Sequence, residues 1–453
     1  MEASTVAASR HKISPSSIIL AAVIALIAAA VYRYLQAPSF WLDEAFIAVS
    51  LRYPTASNIF AQLEYGQYFP RLYLGLIALL RTVVGYEIWV LRLFPFASFV
   101  AATCLWGRLL VGQARGVLPV AVLTGSLLVG ASFWLDQAIQ LKQYTFEVLL
   151  ALIPFLASDR FYEESFGEGK RKTSLALLAL PCALSYTYPV AYGARVVGWY
   201  VYRAGRRSRR LNVAALAVAA AACVAALSVI VFTDHRFNFK DRAAYLDYWH
   251  DCILLSQLKE SFADALRLLA KFLWGWHSRQ SLVTVGMVPL HLLGVYGVIK
   301  AWRHAGSADE PIKTGAGSES AWGSRSLGSL VLLVGLIAAS LVASYPICAG
   351  RVLLFAQIHT QILAAEGALL VLTRWGQVRW ARAALYLFIA VVIFYSGRQY
   401  IRFVASDPSE NLRPAIVHMK ADLAGKVWVH TCSIAQARSL PEPFPVEEVL
   451  LGT

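Results

Sequence analysis

Runs of close to twenty residues almost free of charge recur along this chain, and they constrain its fold more than any other feature. A run of about 20 apolar residues crosses a bilayer as a helix, because a helix satisfies its own backbone polar groups where water cannot. The first run extends from Ser16 to about Tyr34. No small-x-small cleavage site precedes the following Asp-Glu pair, and more runs follow, so it reads as an uncleaved first helix rather than a secretory signal. Composition agrees. Of 453 residues, 58% are hydrophobic and 15% charged, against about 25% charged in ordinary soluble domains.

The pattern predicts an all-α polytopic membrane protein of about eleven transmembrane helices, within a range of ten to thirteen. The expected spans are 16–35, 91–111, 117–134, 140–157, 174–190, 191–204, 211–232, 281–299, 327–344, 352–372 and 383–402. The formal charge of +14 would suggest a nucleic-acid partner in a soluble protein. Here the basic residues lie between apolar runs, which is the positive-inside pattern of membrane topology and implies no nucleic acid. Arg10 and Lys12 precede the first span, and Arg108 and Arg115 follow the second. Arg160 and Lys170–Lys172 follow the fourth, and Arg203–Arg210 the sixth. Lys300, Arg303, Lys313 and Arg325 follow the eighth, and Arg374, Arg379 and Arg382 the tenth. All fall on the cytosolic side if the N-terminus is inside, which predicts a multi-pass plasma (bacterial inner) membrane protein with an extracytoplasmic C-terminus. Leu72–Val84 is apolar but short, and counting it as a span would invert every later loop. It is expected to be a re-entrant or interfacial helix.

This threading gives a transmembrane domain over 1–402, with outer loops at 36–90 and 233–280, and a small extracytoplasmic tail over 403–453. In the tail, Leu412–Leu423 suits a short helix and Lys426–Thr431 alternates like a strand. Of six cysteines, Cys104, Cys182 and Cys223 read as core fillers, and one disulfide among Cys252, Cys348 and Cys432 is open.

Three constellations bear chemistry. The first is Ser39–Ala45, where Asp43 and Glu44 sit among aromatics just past the first span. Adjacent residues on a helix point about 100° apart, so the two acids cannot both face one point on regular backbone. Asp43 suits a general base or electrostatic anchor with Glu44 in support. The plainer reading is an acidic first helical turn, favoured by the dipole. The second is Asp136–Glu147. Asp136, Gln140, Gln143 and Glu147 make one polar stripe if the segment is a single helix, with Tyr144 at its edge. Such a stripe faces a cavity or a structural seam between helices. The third is Ser344–Arg351 with Tyr345, where an arginine sits at an outer membrane entry. Arginine fixes phosphate bidentately, and a snorkelling arginine is the plainer reading. His291 and His359 lie in apolar spans with no second ligand at metal spacing and read as core histidines. Arg236, Lys240, Arg242, Tyr245, Tyr248 and Trp249 form a weaker outer-loop group, read as an aromatic belt at the interface.

Taken in order, these residues resemble the GT-C superfamily of membrane glycosyltransferases that use polyprenyl-phosphate sugars. Within it they are most similar to bacterial relatives of the dolichyl-phosphate-mannose protein mannosyltransferases. The resemblance rests on Trp41-Leu-Asp43-Glu44-Ala45, Phe69-Pro70-Arg71-Leu72-Tyr73, Gly85 through Leu93, Leu141-Lys142-Gln143-Tyr144, Tyr345-Pro346, Gly350-Arg351 and Leu354-Phe355. The family often has His-Pro-Pro near Tyr68–Arg71, and an arginine where this chain has Lys142. The resemblance implies a GT-C-like hexosyltransferase with a polyprenyl-phosphate sugar donor and a protein, lipid or glycan acceptor. It implies Asp43 as base with Glu44, a donor phosphate held by Lys142, Arg351 and Arg71, and Asp136, Tyr144, Glu147 and Tyr345 lining the cavity. Family members differ in needing a divalent metal, so the sequence fixes no cofactor and leaves a divalent cation open. The rival expectation is a transporter or lipid flippase using the polar stripe around Glu147. A third is a non-catalytic protein that binds lipid phosphate as the partner of another enzyme.

Overall fold

The structure, a computed structural model, describes residues 13–36, 38, 40, 42–55, 59–60, 63, 70–166, 172–204, 213–230, 232–233, 246–247, 249–274, 281–305, 317–347, 350 and 353–406. Every regular element among them is helical. In chain order these are α1 Pro15–Gln36, α2 Leu42–Ser50, α3 Arg71–Val84, α4 Ile88–Ala114, α5 Leu118–Val129, α6 Ser132–Asp136, α7 Tyr144–Leu156 and α8 Asp159–Phe166. They continue with α9 Lys172–Ala179, α10 Tyr188–Ala204, α11 Val213–Ile230, α12 Leu254–Glu260, α13 Phe262–Trp274, α14 Ser281–Ala305, α15 Gly317–Val342, α16 Leu354–Arg374 and α17 Arg379–Ala405.

Six helices are long and apolar enough to cross a bilayer: α1, α4, α16 and α17 throughout, and α14 and α15 over Val285–Arg303 and Gly323–Val342. Leu118–Val129, Tyr144–Leu156, Thr173–Ala183 and Ala215–Val229 are apolar but shorter. The expected fifth and sixth spans divide earlier than the sequence suggests. Pro181 lies in a 3-10 turn, Leu180–Ala183, that ends the helical stretch. The next helix starts at Tyr188, where Ser185 Oγ accepts from the N–H groups of Thr187 and Tyr188, both at 3.2 Å. That is a serine capping free N–H groups, and Pro189 fits the first turn because its missing N–H is not needed there.

Helix α16 is the hub. Its apolar window is 89% buried, against 28% for α14 and α17. It packs on α4, α5, α7, α14, α15 and α17. Its contact with α14 is a close crossing of small residues: a Cβ on Gly367 would meet the Leu290 carbonyl oxygen at 1.9 Å, and one on Gly294 would meet that of Leu363 at 2.0 Å. Glycine lets helix backbones meet where the hydrophobic effect between helices is weak. Gly367→Ala is therefore expected to destabilise the protein by about 1–3 kcal/mol or more through overpacking. Thermal unfolding in detergent checks this beside Gly335→Ala, where a Cβ meets nothing within 4 Å. A melting point equal to that of the control removes the crossing argument.

The bundle has two distinct ends. At one, Glu366 accepts from Gln113 at 2.6 Å and from Arg115 and Ser326 at 2.8 Å. Nearby Asp159 accepts from Arg195 and Ser324, both at 2.6 Å, with the Arg195 guanidinium over the Tyr162 ring. Arg203 pairs with Glu163, on the same short helix as Asp159. At the other end, Arg33 of α1 bonds the Phe403 and Ser406 carbonyls at the close of α17 and stacks on Phe403. Tyr400 Oη, one turn back on α17, donates to the Ala25 carbonyl at 2.9 Å.

The short apolar run after residue 70 is indeed a helix, α3, with Arg71, Tyr73, Leu74, Ile77 and Ala78 buried on one face and Leu76, Leu79, Val83 and Val84 exposed on the other. At 14 residues it is roughly 21 Å long, short of the hydrocarbon thickness. Helix α13, between α12 and α14, is similarly two-faced: Ala265, Leu268 and Phe272 are buried, Phe262 and Leu266 exposed. The cysteines at 182 and 223 pack with their sulfurs 3.6 Å apart, both free thiols. Cys104 is exposed on α4 and Cys252 is half-buried. Cys348 and Cys432 lie outside the described residues, as does the tail from 407, with its expected helix and strand.

Candidate functional site

Asp43 and Glu44 occupy the first turn of α2, and they diverge as residues 100° apart should. Glu44 turns inward and is 1% exposed. Its carboxylate takes both arms of Arg92, Nε at 3.0 Å and Nη2 at 2.7 Å. It also accepts from the backbone N–H of Leu141. Arg92 in turn donates from Nη1 to the Pro38 carbonyl at 2.7 Å, and its guanidinium lies 5.0 Å from the Phe40 ring centre. A bidentate arginine–carboxylate pair fixes orientation as well as distance. Four segments thus meet on one ion pair: the loop after α1, the first turn of α2, the start of α4 and the turn before α7. Asp43 is half-buried beside this clamp, and Lys142 follows Leu141 directly in the chain.

That turn is where the structure departs from the sequence reading. Asp136, Gln140, Gln143 and Glu147 do not form one helical stripe. Helix α6 ends at Asp136, residues 137–143 run through turns and bends, and α7 begins at Tyr144. A continuous helix would need the Leu141 N–H and the Lys142 carbonyl for its own ladder. Both are spent elsewhere, the first on Glu44 and the second on Tyr73 Oη, which donates to it at 3.0 Å. Asp136 is exposed, and Tyr144 is half-buried at the start of α7. Lys142 and Glu147 are each 5% exposed and Gln143 7%.

Tyr73 reaches Lys142 because its ring packs with Phe94 and Phe146, centroids 5.4 and 5.1 Å away. This three-ring contact joins α3, α4 and α7. Arg71 opens α3 and is 1% exposed. Its Nη1 donates to the Ile59 carbonyl at 3.3 Å, tying the start of α3 to the segment after α2. Tyr86, in the turn before α4, donates to the Ala48 carbonyl at 2.9 Å with Arg52 and Arg81 by its ring. Burial pushes its phenol well above the usual value, against the pull of the two guanidiniums, so it stays a donor.

Tyr345 is half-buried after α15. The turn before it uses Ser344 at φ 55°, the left-handed conformation that closes many helices. Ile347 N–H then donates to the Cys252 carbonyl at 2.7 Å, tying this loop to the turn before α12. Arg351 lies outside the described residues, as do Arg236, Lys240, Arg242, Tyr245 and Tyr248.

The two core histidines sit in helix contacts. His291 has its ring nitrogens 2.8 Å from the Met287 carbonyl and 2.9 Å from that of Thr360. His359 Nδ1 is 3.0 Å from Ser329 Oγ, and its ring packs on Phe155. Among the described residues, no group of three or more His, Cys, Asp or Glu side chains is placed to hold a metal ion.

The residue that sequence reasoning missed is Arg92, quoted in a motif but given no role. Its signal was present: it stands at the start of a long apolar run, and a buried cation needs a partner. No protein-family model matches the chain, and no curated protein matches it.

Proposed function

We propose that this chain is a membrane hexosyltransferase with an eleven-span, GT-C-like bundle. It moves a sugar from a polyprenyl-phosphate donor to an acceptor hydroxyl of a protein, lipid or glycan, on the extracytoplasmic face of the plasma membrane. Two things support the sidedness. The basic residues between the apolar runs are spaced as the positive-inside pattern requires, and nucleotide sugars are kept in the cytosol whereas lipid-linked sugars reach the outer face.

The observation that carries the reading is the clamp itself. Glu44 bonds both Arg92 and the Leu141 N–H, so the chain neighbours of one carboxylate are a half-buried acid, Asp43, and a buried cation, Lys142. That is what displacement at a sugar phosphate needs. Asp43 removes the proton as the acceptor oxygen attacks the anomeric carbon. The bond from that carbon to the phosphate oxygen breaks, and polyprenyl phosphate leaves with the electron pair. Lys142, with Arg351 and Arg71, holds the phosphate and balances the charge that grows on it. Attack in line with the departing phosphate inverts the anomeric centre, and phosphate leaves well enough to need no general acid.

The test is transfer from a panel of radiolabelled polyprenyl-phosphate sugars in membranes containing the protein. Label is expected in an acceptor fraction with at least one donor. Lys142→Met is expected to raise the donor KM by about ten-fold or more, since a charged hydrogen bond contributes roughly 1.5–3 kcal/mol. An unchanged KM removes Lys142 from the phosphate site. Labelled lipid crossing between leaflets without transfer would instead favour a transporter.

A further inference from the structure

The first turn of α7 holds two oxygen atoms that the surrounding protein leaves unused. Gln143 and Glu147 stand four residues apart, linked by a 2.8 Å bond from the Glu147 N–H to the Gln143 carbonyl, so their side chains share one face. Both side chains are more than nine-tenths buried, and Oε1 of each has no hydrogen-bond partner among the described residues. The Glu147 carboxylate also accepts from the Tyr186 backbone N–H. It lies within electrostatic reach of the Tyr73 hydroxyl, and that hydroxyl in turn holds the Lys142 carbonyl at 3.0 Å. Gln143 thus closes the turn that carries Lys142, and Glu147 lies one helical turn further along α7.

Buried acceptors without donors are costly, and native structures keep them chiefly where something else brings the donors. Both orphan atoms are acceptors, which selects the chemistry of that partner. A phosphate offers only acceptor oxygens, which supply neither atom with a donor. A sugar ring offers several hydroxyl donors. The turn and the start of α7 thus carry a buried cation at Lys142 and, next to it in the chain, unpaired oxygens at Gln143 and Glu147.

We propose that Gln143 and Glu147 receive the hydroxyl groups of the donor sugar and decide which sugar the protein accepts. This rests on the reading of the chain as a polyprenyl-phosphate-sugar transferase. The two residues are specificity determinants, and the phosphate is bound without them.

The experiment is equilibrium binding to the full-length protein in nanodiscs, using a short polyprenyl phosphate and the same lipid bearing one glucose, mannose or galactose. The unaltered protein is expected to bind at least one sugar-bearing lipid about ten-fold or more tightly than the bare lipid, the range of a hydrogen bond to a charged group. Glu147→Gln and Gln143→Leu are each expected to cut that preference several-fold and leave affinity for the bare lipid unchanged. Should a variant be lost in purification, singly deoxygenated hexosyl lipids read the same contact on the unaltered protein, and removal of one hydroxyl is expected to return affinity to that of the bare lipid. A uniform affinity across the deoxygenated set, or a preference that survives both substitutions, overturns the proposal and leaves a buried water as the partner of these oxygens. Sugar preference without transfer would sink the catalytic reading and retain this subsite. Failure of even the bare lipid to bind would sink both.

Discussion

Asp43→Asn is expected to lower transfer by about 10²–10⁴-fold, the range over which a positioned base contributes, while the protein stays folded and keeps its donor affinity. The expectation comes from the division of labour between two adjacent acids. Glu44 is enclosed in the bundle with its carboxylate on Arg92 and Leu141. Asp43 is half-buried on the first turn of α2. Asparagine has nearly the shape of aspartate and keeps its capacity to accept at a helix N-terminus, but it cannot take a proton from an acceptor hydroxyl. The measurement is kcat and donor KM in the same membranes, with melting temperature as the control for folding. A variant with full kcat ends the assignment of Asp43 as base. One with normal kcat and a raised KM would make Asp43 a binding group.

Arg92→Ala should have the largest effect on stability, at about 3–5 kcal/mol, because it leaves the Glu44 carboxylate buried without its counter-charge. Glu44→Ala is expected to cost a similar amount, stranding Arg92 and removing the acceptor for the Leu141 N–H. The informative variant is the double change Glu44→Leu with Arg92→Met. Replacing a buried ion pair by apolar groups of similar volume is often neutral for stability, so much of the lost melting temperature should return. Activity should not return, because Leu141 and the Lys142 turn lose the bond that fixes them beside α2. Recovery of both would show that the pair is scaffold alone and that the position of Lys142 does not depend on it. Recovery of neither would mean that the bonds to Pro38 and Leu141 outweigh the charge pairing.

How much of this was legible in the sequence depends on the range of the interaction. The long apolar helices were readable because a twenty-residue run needs no partner to declare itself. Helix α3 was readable as too short to cross, since 14 residues fall below the bilayer thickness. The break after Asp136 was not readable. Periodicity assumes that backbone groups pair locally, and here Glu44 and Tyr73 intervene from 97 and 69 residues away in sequence. The same distance hid the role of Glu44. From sequence it supports Asp43 as a second acid, and only the fold shows that its carboxylate is committed to Arg92. For Gln143 and Glu147, the i, i+4 relation was visible, but their unpaired oxygens are a property of the packed surroundings.

The contact between Arg33 and the end of α17 bears on how the protein is made. The arginine travels into the bilayer with the first helix, and the carbonyl it bonds at Phe403 arrives 370 residues later. At about 5–20 residues per second this is a wait of roughly 20–75 s. Through that interval the guanidinium must extend toward the headgroups, and α1 must be kept from leaving the insertion machinery in a wrong pairing. Helix α1 packs chiefly on α4 and α5, so ribosome-bound chains that stop before α17 are expected to hold α1 through those two helices while Arg33 still lacks its carbonyls. The N-terminal part of the bundle is then built early, and the Arg33 contact is made last.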